Sequence, residues 1–369
     1  MNFYNTLQLD PSVLKPKIKN AETKKEKHKL QFALVLRSII IVAFAISFIA
    51  PISKIFGSEN SPMAVVIFCI LLAVRFVDFG YCITDSMINL AIVFLLLLFA
   101  PVLASSINPI LALLVHVSAF FTILLMTCNK PELGNGGLYC FAYVYLSGNP
   151  VTGELLWKRS IVALIGYVIC GLIFFFKHKN KNKGIRFFSV ISNFSLSNIK
   201  YRWEFRLALG TSLMLTLGNF FGLERYMWAG FACASMMSGY PYLLDIKKRI
   251  SHRFIGVVAG SLIYFAICKV TPESLHPLFG PIGGFCLGFC TDYRFKNAIN
   301  CFGALMLATG IYGVEGAVLL RIFDNFIGLL FAFVFVFAYT MIVDKYFDKK
   351  ENLNGDDNST IEKISQNNL

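Results

Sequence analysis

Charge is scarce in this chain. Only 15% of its 369 residues are Asp, Glu, Lys or Arg, where a soluble domain carries about 25%. That deficit excludes an ordinary water-soluble surface. Acidic residues are scarcer than basic ones, 21 against 34, giving a net charge of +13. No Walker loop and no HExxH motif occurs, so the chain shows no nucleotide-hydrolysing or zinc-protease signature. No CxxC pair occurs among the ten cysteines, and most sit in apolar runs. Cys286 and Cys290, four apart, could share a helix face, but small residues packed in lipid or protein are the simpler reading. Neither a metal nor a cofactor is expected. The polar, Lys-rich first 30 residues lack the apolar core and cleavage site of a signal peptide.

What is present is apolar. Hydrophobic residues make up 56% of the chain, Phe alone contributes 37, and mean hydropathy is +0.65. The expectation is an all-α polytopic membrane protein. Its basic residues cluster beside apolar runs rather than along a nucleic-acid face, so a lipid bilayer is expected as partner and nucleic acid is not.

The apolar runs read as twelve spans. Six lie near 31–50, 62–77, 87–103, 109–128, 136–149 and 154–176. Six more lie near 205–221, 226–243, 253–270, 275–291, 296–311 and 316–343. The halves align at a slowly drifting offset. Arg37 pairs with Arg206 (169 apart), Glu59 with Glu224 (165), Cys140-Phe141 with Cys301-Phe302 (161), and Arg159 and Gly166 with Arg321 and Gly328 (162). Two tandem six-helix repeats follow, and an even number of spans gives them the same orientation. The expected layout is a basic N-tail (1–30), a first membrane repeat (31–176), a basic linker (177–204), a second repeat (205–343) and a disordered C-tail (344–369). The Lys and Arg distribution places the N-tail, linker and C-tail in the cytoplasm.

Ionisable residues inside spans are costly and so mark candidate function. Arg321, Asp324 or Asn325, and Gly328 share one helical face. They form either a stripe along a substrate or proton path, or a snorkelling arginine neutralised by Asp324. Counting about 1.5 Å per residue back from Asp344 puts Arg321 near the outer edge of the hydrocarbon. The first half keeps Arg159 and Gly166 but has Val162 where the second has Asp324. Arg206 and Arg253 at inner span ends could funnel an anion, although topogenic charge explains them equally. Trp228 suits an outer aromatic belt. Tyr143 and Tyr312, in glycine-interrupted spans, could stack on a planar substrate, and ordinary packing is the alternative. Gly256-x-x-x-Gly260, with Gly166 and Gly328, suits close helix packing.

The second half has Arg206 opening a span, Tyr226-Met227-Trp228-Ala229, Tyr240-Pro241, and "RISHRFIGVVAG" with Arg249, Arg253, Gly256 and Gly260. It closes on Arg321, Asp324 and Gly328. In this order these residues resemble the fusaric acid resistance-like superfamily, which includes aromatic-acid exporters. The first half is more degenerate, with Met63-Ala64 in place of Trp228-Ala229 and Asn89 near the place of Arg253. The resemblance spans about 31–343. It implies a bacterial inner-membrane exporter of organic, including aromatic, acids, proton-driven and not an enzyme. It implies a small organic anion as substrate and a periplasmic adaptor of the membrane-fusion type as partner, and homo-oligomers stay open. It adds Tyr240 to the site candidates. The large cytoplasmic helical region of many relatives is missing here. Two other readings stand beside the exporter: a passive anion channel, and a non-transporting scaffold or subunit in envelope biogenesis.

Overall fold

The computed structural model describes residues 3–239 and 246–347. Among these, all regular structure is helical. In chain order the helices are α1 (Phe3–Leu7), α2 (Pro11–Lys19), α3 (Lys24–Phe56), α4 (Ser61–Val74), α5 (Ile83–Ser105), α6 (Pro109–Thr127), α7 (Asn135–Ser147), α8 (Gly153–His178), α9 (Phe187–Ile191), α10 (Ile199–Phe220), α11 (Tyr226–Met237), α12 (Ile246–Val270), α13 (Phe279–Leu287) and α14 (Tyr293–Tyr339).

Local chemistry sets several ends. Asn108 precedes Pro109, and its side chain accepts from the Leu111 N–H at 3.0 Å, an N-cap followed by proline at the first helical position. Thr23 caps α3 in the same way through Glu26 N–H, and Gly57, at φ 96°, ends that helix.

Six helical segments are long and apolar enough to cross a membrane: α3, α5, α6, α8, α12 and the run Tyr293–Phe347. The chain is therefore a multi-pass helical membrane protein. The expected spans at 62–77, 136–149, 226–243 and 275–291 fold instead as the short helices α4, α7, α11 and α13. At 14, 13, 12 and 9 residues, each is shorter than the ~30 Å of hydrocarbon at about 1.5 Å per residue. The expected span 205–221 forms α10. That helix is long enough, but Arg202, Glu204 and Arg206 are buried on it.

The last two expected spans share α14, whose backbone breaks at Gly313 (φ 69°). Arg253 shows what the break does. Its guanidinium donates to Asn297 and to Asn325, residues that would stand about 42 Å apart on a straight helix. One guanidinium cannot bridge that distance. The chain therefore doubles back at Gly313 into two antiparallel arms, and a left-handed turn residue is what such a reversal needs.

By packing, the chain forms two compact units. The first is Met1–Phe68 with Asp245–Ile327, and the second is Cys69–Leu244 with Gly328–Leu369. These units divide the chain differently from the expected repeats, which are a division by internal likeness. In the first unit the N-tail is folded: Asp10 caps α2, and Leu14 packs with Leu30 and Leu34 of α3. α13 also lies on α3, where a Cβ on Gly288 would meet the Ser38 side chain.

In the second unit the linker is folded too. Arg186 pairs with Asp85 at 2.9 Å, and Asn182 and Lys181 reach Asp78. Burial would raise the Asp78 carboxyl. The Gly80 amide, Lys130, Asn182 and Lys181 outweigh that and hold it below its ordinary range. At the chain's far end, residues 348–369 of the expected C-tail lie outside the described residues.

Candidate functional site: a buried guanidinium cluster

The first unit buries five polar side chains together. Arg253 comes from α12, Asn297 from the first arm of α14, and Arg321, Asp324 and Asn325 from the second arm. All five are at most 7% exposed. An unpaired buried polar group costs about 1–3 kcal/mol, and a charge more, so the hydrogen bonds matter. Arg253 donates to Asn297 Oδ1 at 3.1 Å and to Asn325 Oδ1 at 3.3 Å. Each asparagine then donates one turn back along its own helix, Asn297 to the Tyr293 carbonyl and Asn325 to the Arg321 carbonyl. The asparagines thus fix both arms against one arginine.

Small residues permit the approach. Gly256 and Gly260 lie one and two turns beyond Arg253 on α12. A Cβ at Gly256 would stand 2.5 Å from the Arg294 carbonyl oxygen, and one at Gly260 would run into that of Ala298. No side chain fits at such distances. Backbone therefore meets backbone, and Arg253 is carried within reach of Asn297.

Arg321 points into the same cluster, with Cys301, Arg253 and Asp324 as its electrostatic neighbours. Two guanidinium groups and one carboxylate make up the charges among these described groups. This surplus of positive charge, placed out of bulk water, is suited to holding an anion. Arg321 is 6% and Asp324 1% exposed, so both lie inside the helical packing of the unit.

The remaining sequence candidates lie elsewhere. Tyr312 is half-buried, next to the break at Gly313. Tyr240 lies outside the described residues. In the second unit Arg159 is 2% exposed and donates to the Asn149 carbonyl at 2.6 Å, just past the end of α7. This is a cation on a helix C-terminus. Gly166 is buried two turns further along the same face of α8. Arg206 and Arg202 face Asp344 at 3.9 and 4.0 Å. Trp228 is buried beneath the guanidinium of Arg225, 5.5 Å from its ring. A Cβ on Gly328 would run into the Ala229 carbonyl oxygen. Tyr143 shares a hydrogen bond with His116 at 2.9 Å and stacks on Phe120.

Sequence reading missed Asn297, Glu204 and His116. Asn297 had one available signal, an amide in an apolar segment four residues before Cys301. Glu204 was hidden among the basic residues of the linker.

The segment that contributes the cluster can be compared with known families. Residues 213–335 match the family described as fusaric acid resistance protein-like. The match supports the fusaric acid resistance-like family. The matched segment holds Arg253, Asn297, Arg321, Asp324 and Asn325, the whole of the cluster. It also holds Trp228 and the glycines at 256, 260 and 328. Searches among characterised proteins and among solved structures returned no match.

Proposed function

We propose that the protein exports organic acids, aromatic acids among them, across a bacterial inner membrane. The observation that carries this reading is the buried pair of guanidinium groups with one carboxylate, set within the segment that is fusaric acid resistance-like. A carboxylate substrate suits a planar guanidinium fork.

Electrostatics gives the sign of the proton effect. Ionised Asp324 repels an incoming anion, while neutral Asp324 leaves both guanidinium groups to it. Anion loading and protonation of Asp324 therefore reinforce each other. Outward movement of the anion is in turn favoured by the inside-negative potential, by about 2.3 kcal/mol per charge per 100 mV. The reading is thus an exporter powered by the electrical part of the proton-motive force, with Asp324 setting how loading depends on pH.

The architecture that goes with it has two like-oriented repeats, with short helices at four of the twelve expected spans, and both termini cytoplasmic. α4 and α11, the second elements of the two halves, are both short, as matched broken helices in a duplicated transporter would be. A periplasmic adaptor and homo-oligomers fit such a system.

The test is Asp324→Asn in proteoliposomes under an imposed potential. Export should persist, and its dependence on the pH of the loading side should flatten. An unchanged pH profile would remove Asp324 from the role. Large currents without a pH gradient would instead favour the channel.

A further inference from the structure

The mechanism above leaves one buried acid unused. Glu204 sits in the second turn of α10, in the second unit, and is 0% exposed. Neither carboxyl oxygen has a hydrogen-bond partner among the described residues. Its nearest cation is Lys200, one turn earlier. That ammonium is engaged elsewhere: it donates to Asn129 Oδ1 at 3.0 Å and lies over the Tyr201 ring at 4.4 Å. The two form no salt-bridge contact, and the attraction of the ammonium only partly offsets the burial of the carboxylate. A carboxylate with neither solvent nor donor is among the least favourable groups a protein can bury, and taking up a proton relieves it.

The surroundings offer little to offset that charge. α10 packs against α6, α7 and α11. The titratable side chains buried on those neighbours are Cys128, just past the end of α6, Tyr139, Cys140 and Tyr143 on α7, Cys233 on α11, and His116 towards the other end of α6. None of them carries a positive charge while buried in its neutral form. On α10 itself, Lys200 and Tyr201 precede Glu204, and the buried Arg202 and Arg206 lie towards Asp344.

α10 buries further polar side chains beyond Glu204. Thr211 follows seven residues on, nearly in line with Glu204, while Ser212 and Thr216 share a neighbouring face, all at most 9% exposed. The hydroxyls of Ser212 and Thr216 likewise have no partner among the described residues. Thr216 lines a cavity of about 30 Å³ together with Asn219, His116, Ser147 and Tyr226, enough for about two waters. Buried polar atoms without protein partners are ordinarily met by water.

We propose that Glu204 is a proton-binding site, holding its proton at neutral pH in the buried interior of the second unit. The assignment concerns the second unit alone and does not depend on what the protein exports.

Infrared difference spectroscopy on the full chain in lipid nanodiscs tests it. The expected signal is a protonated-carboxyl C=O stretch that survives at pH 7, well above the ~4.3 at which an exposed glutamate ionises. Glu204→Gln should abolish that band and Asp324→Asn should leave it. Glu204→Asp should move it without removing it, which decides the matter should the Gln variant not fold. A wild-type spectrum without a protonated carboxyl at pH 7 overturns the proposal. So does a band indifferent to both Glu204 variants. Failure of export with the band intact would count against the exporter reading and leave Glu204 assigned.

Discussion

Arg253 is the residue on which the first unit's polar interior turns. Removing it leaves two asparagine oxygens buried without a donor, so Arg253→Ala should cost about 3–5 kcal/mol, the range for breaking one side of a buried charged network. Thermal unfolding in detergent reads this directly. Arg253→Lys keeps the charge but loses the fork, and should recover only part of the loss. Equal stability of all three proteins would mean the hydrogen bonds to Asn297 and Asn325 carry nothing. At this scale the sequence was partly legible. Arg253, Arg321, Asp324 and Asn325 stood out because polar groups are rare in apolar runs. Asn297 was not singled out, since an amide near a span end carries no charge to betray it. Glu204 escaped because charge among charges gives no contrast, and only burial distinguishes it.

Among the elements, the approach of α12 to α14 rests on glycine. Gly260→Ala forces a Cβ against the Ala298 backbone, where the nearest atom cannot swing away. Overpacking of this kind costs about 1–3 kcal/mol. Gly303→Ala on the same arm meets nothing within 4 Å and serves as the control, which should be neutral or slightly stabilising. A Gly260→Ala protein as stable as Gly303→Ala would contradict the close packing. The helical nature of these runs was readable from their hydropathy alone. Their lengths were not, because apolar content marks what is shielded from water without saying whether lipid or protein shields it. α7 and α11 are apolar because protein surrounds them. α10 shows the converse, an expected span whose first two turns bury two arginines and an acid.

For the molecule as a whole, the linker is a docked element and its docking should depend on pH. Asp78 binds Lys181 and Asn182 of the linker and Lys130 of another loop. Its carboxyl is held below the ordinary value of 3.8. A depressed folded value contributes stability above the unfolded pKa, and that stability is lost as pH falls through the folded one. The linker should therefore stay docked at neutral pH and loosen only below about pH 4. Asp78→Asn should loosen it at pH 7. Hydrogen exchange across 177–186 measures both, and equal protection in Asp78→Asn and wild type at pH 7 would contradict the role. The sequence marked 177–204 as a basic connector from its charge. The acids that receive it, Asp78 and Asp85, lie about a hundred residues earlier, and no local pattern joins them.

The central claim is that the buried guanidinium cluster carries organic anions outward under the membrane potential. It is tested most directly by flux from proteoliposomes loaded with a panel of organic acids, with potential and pH gradient imposed separately. The expected result is saturable efflux of aromatic carboxylates that rises with an inside-negative potential, increases as the loading side is acidified, and falls strongly in Arg253→Ala. No flux of any acid under either gradient, or flux unaffected by Arg253→Ala, would contradict it.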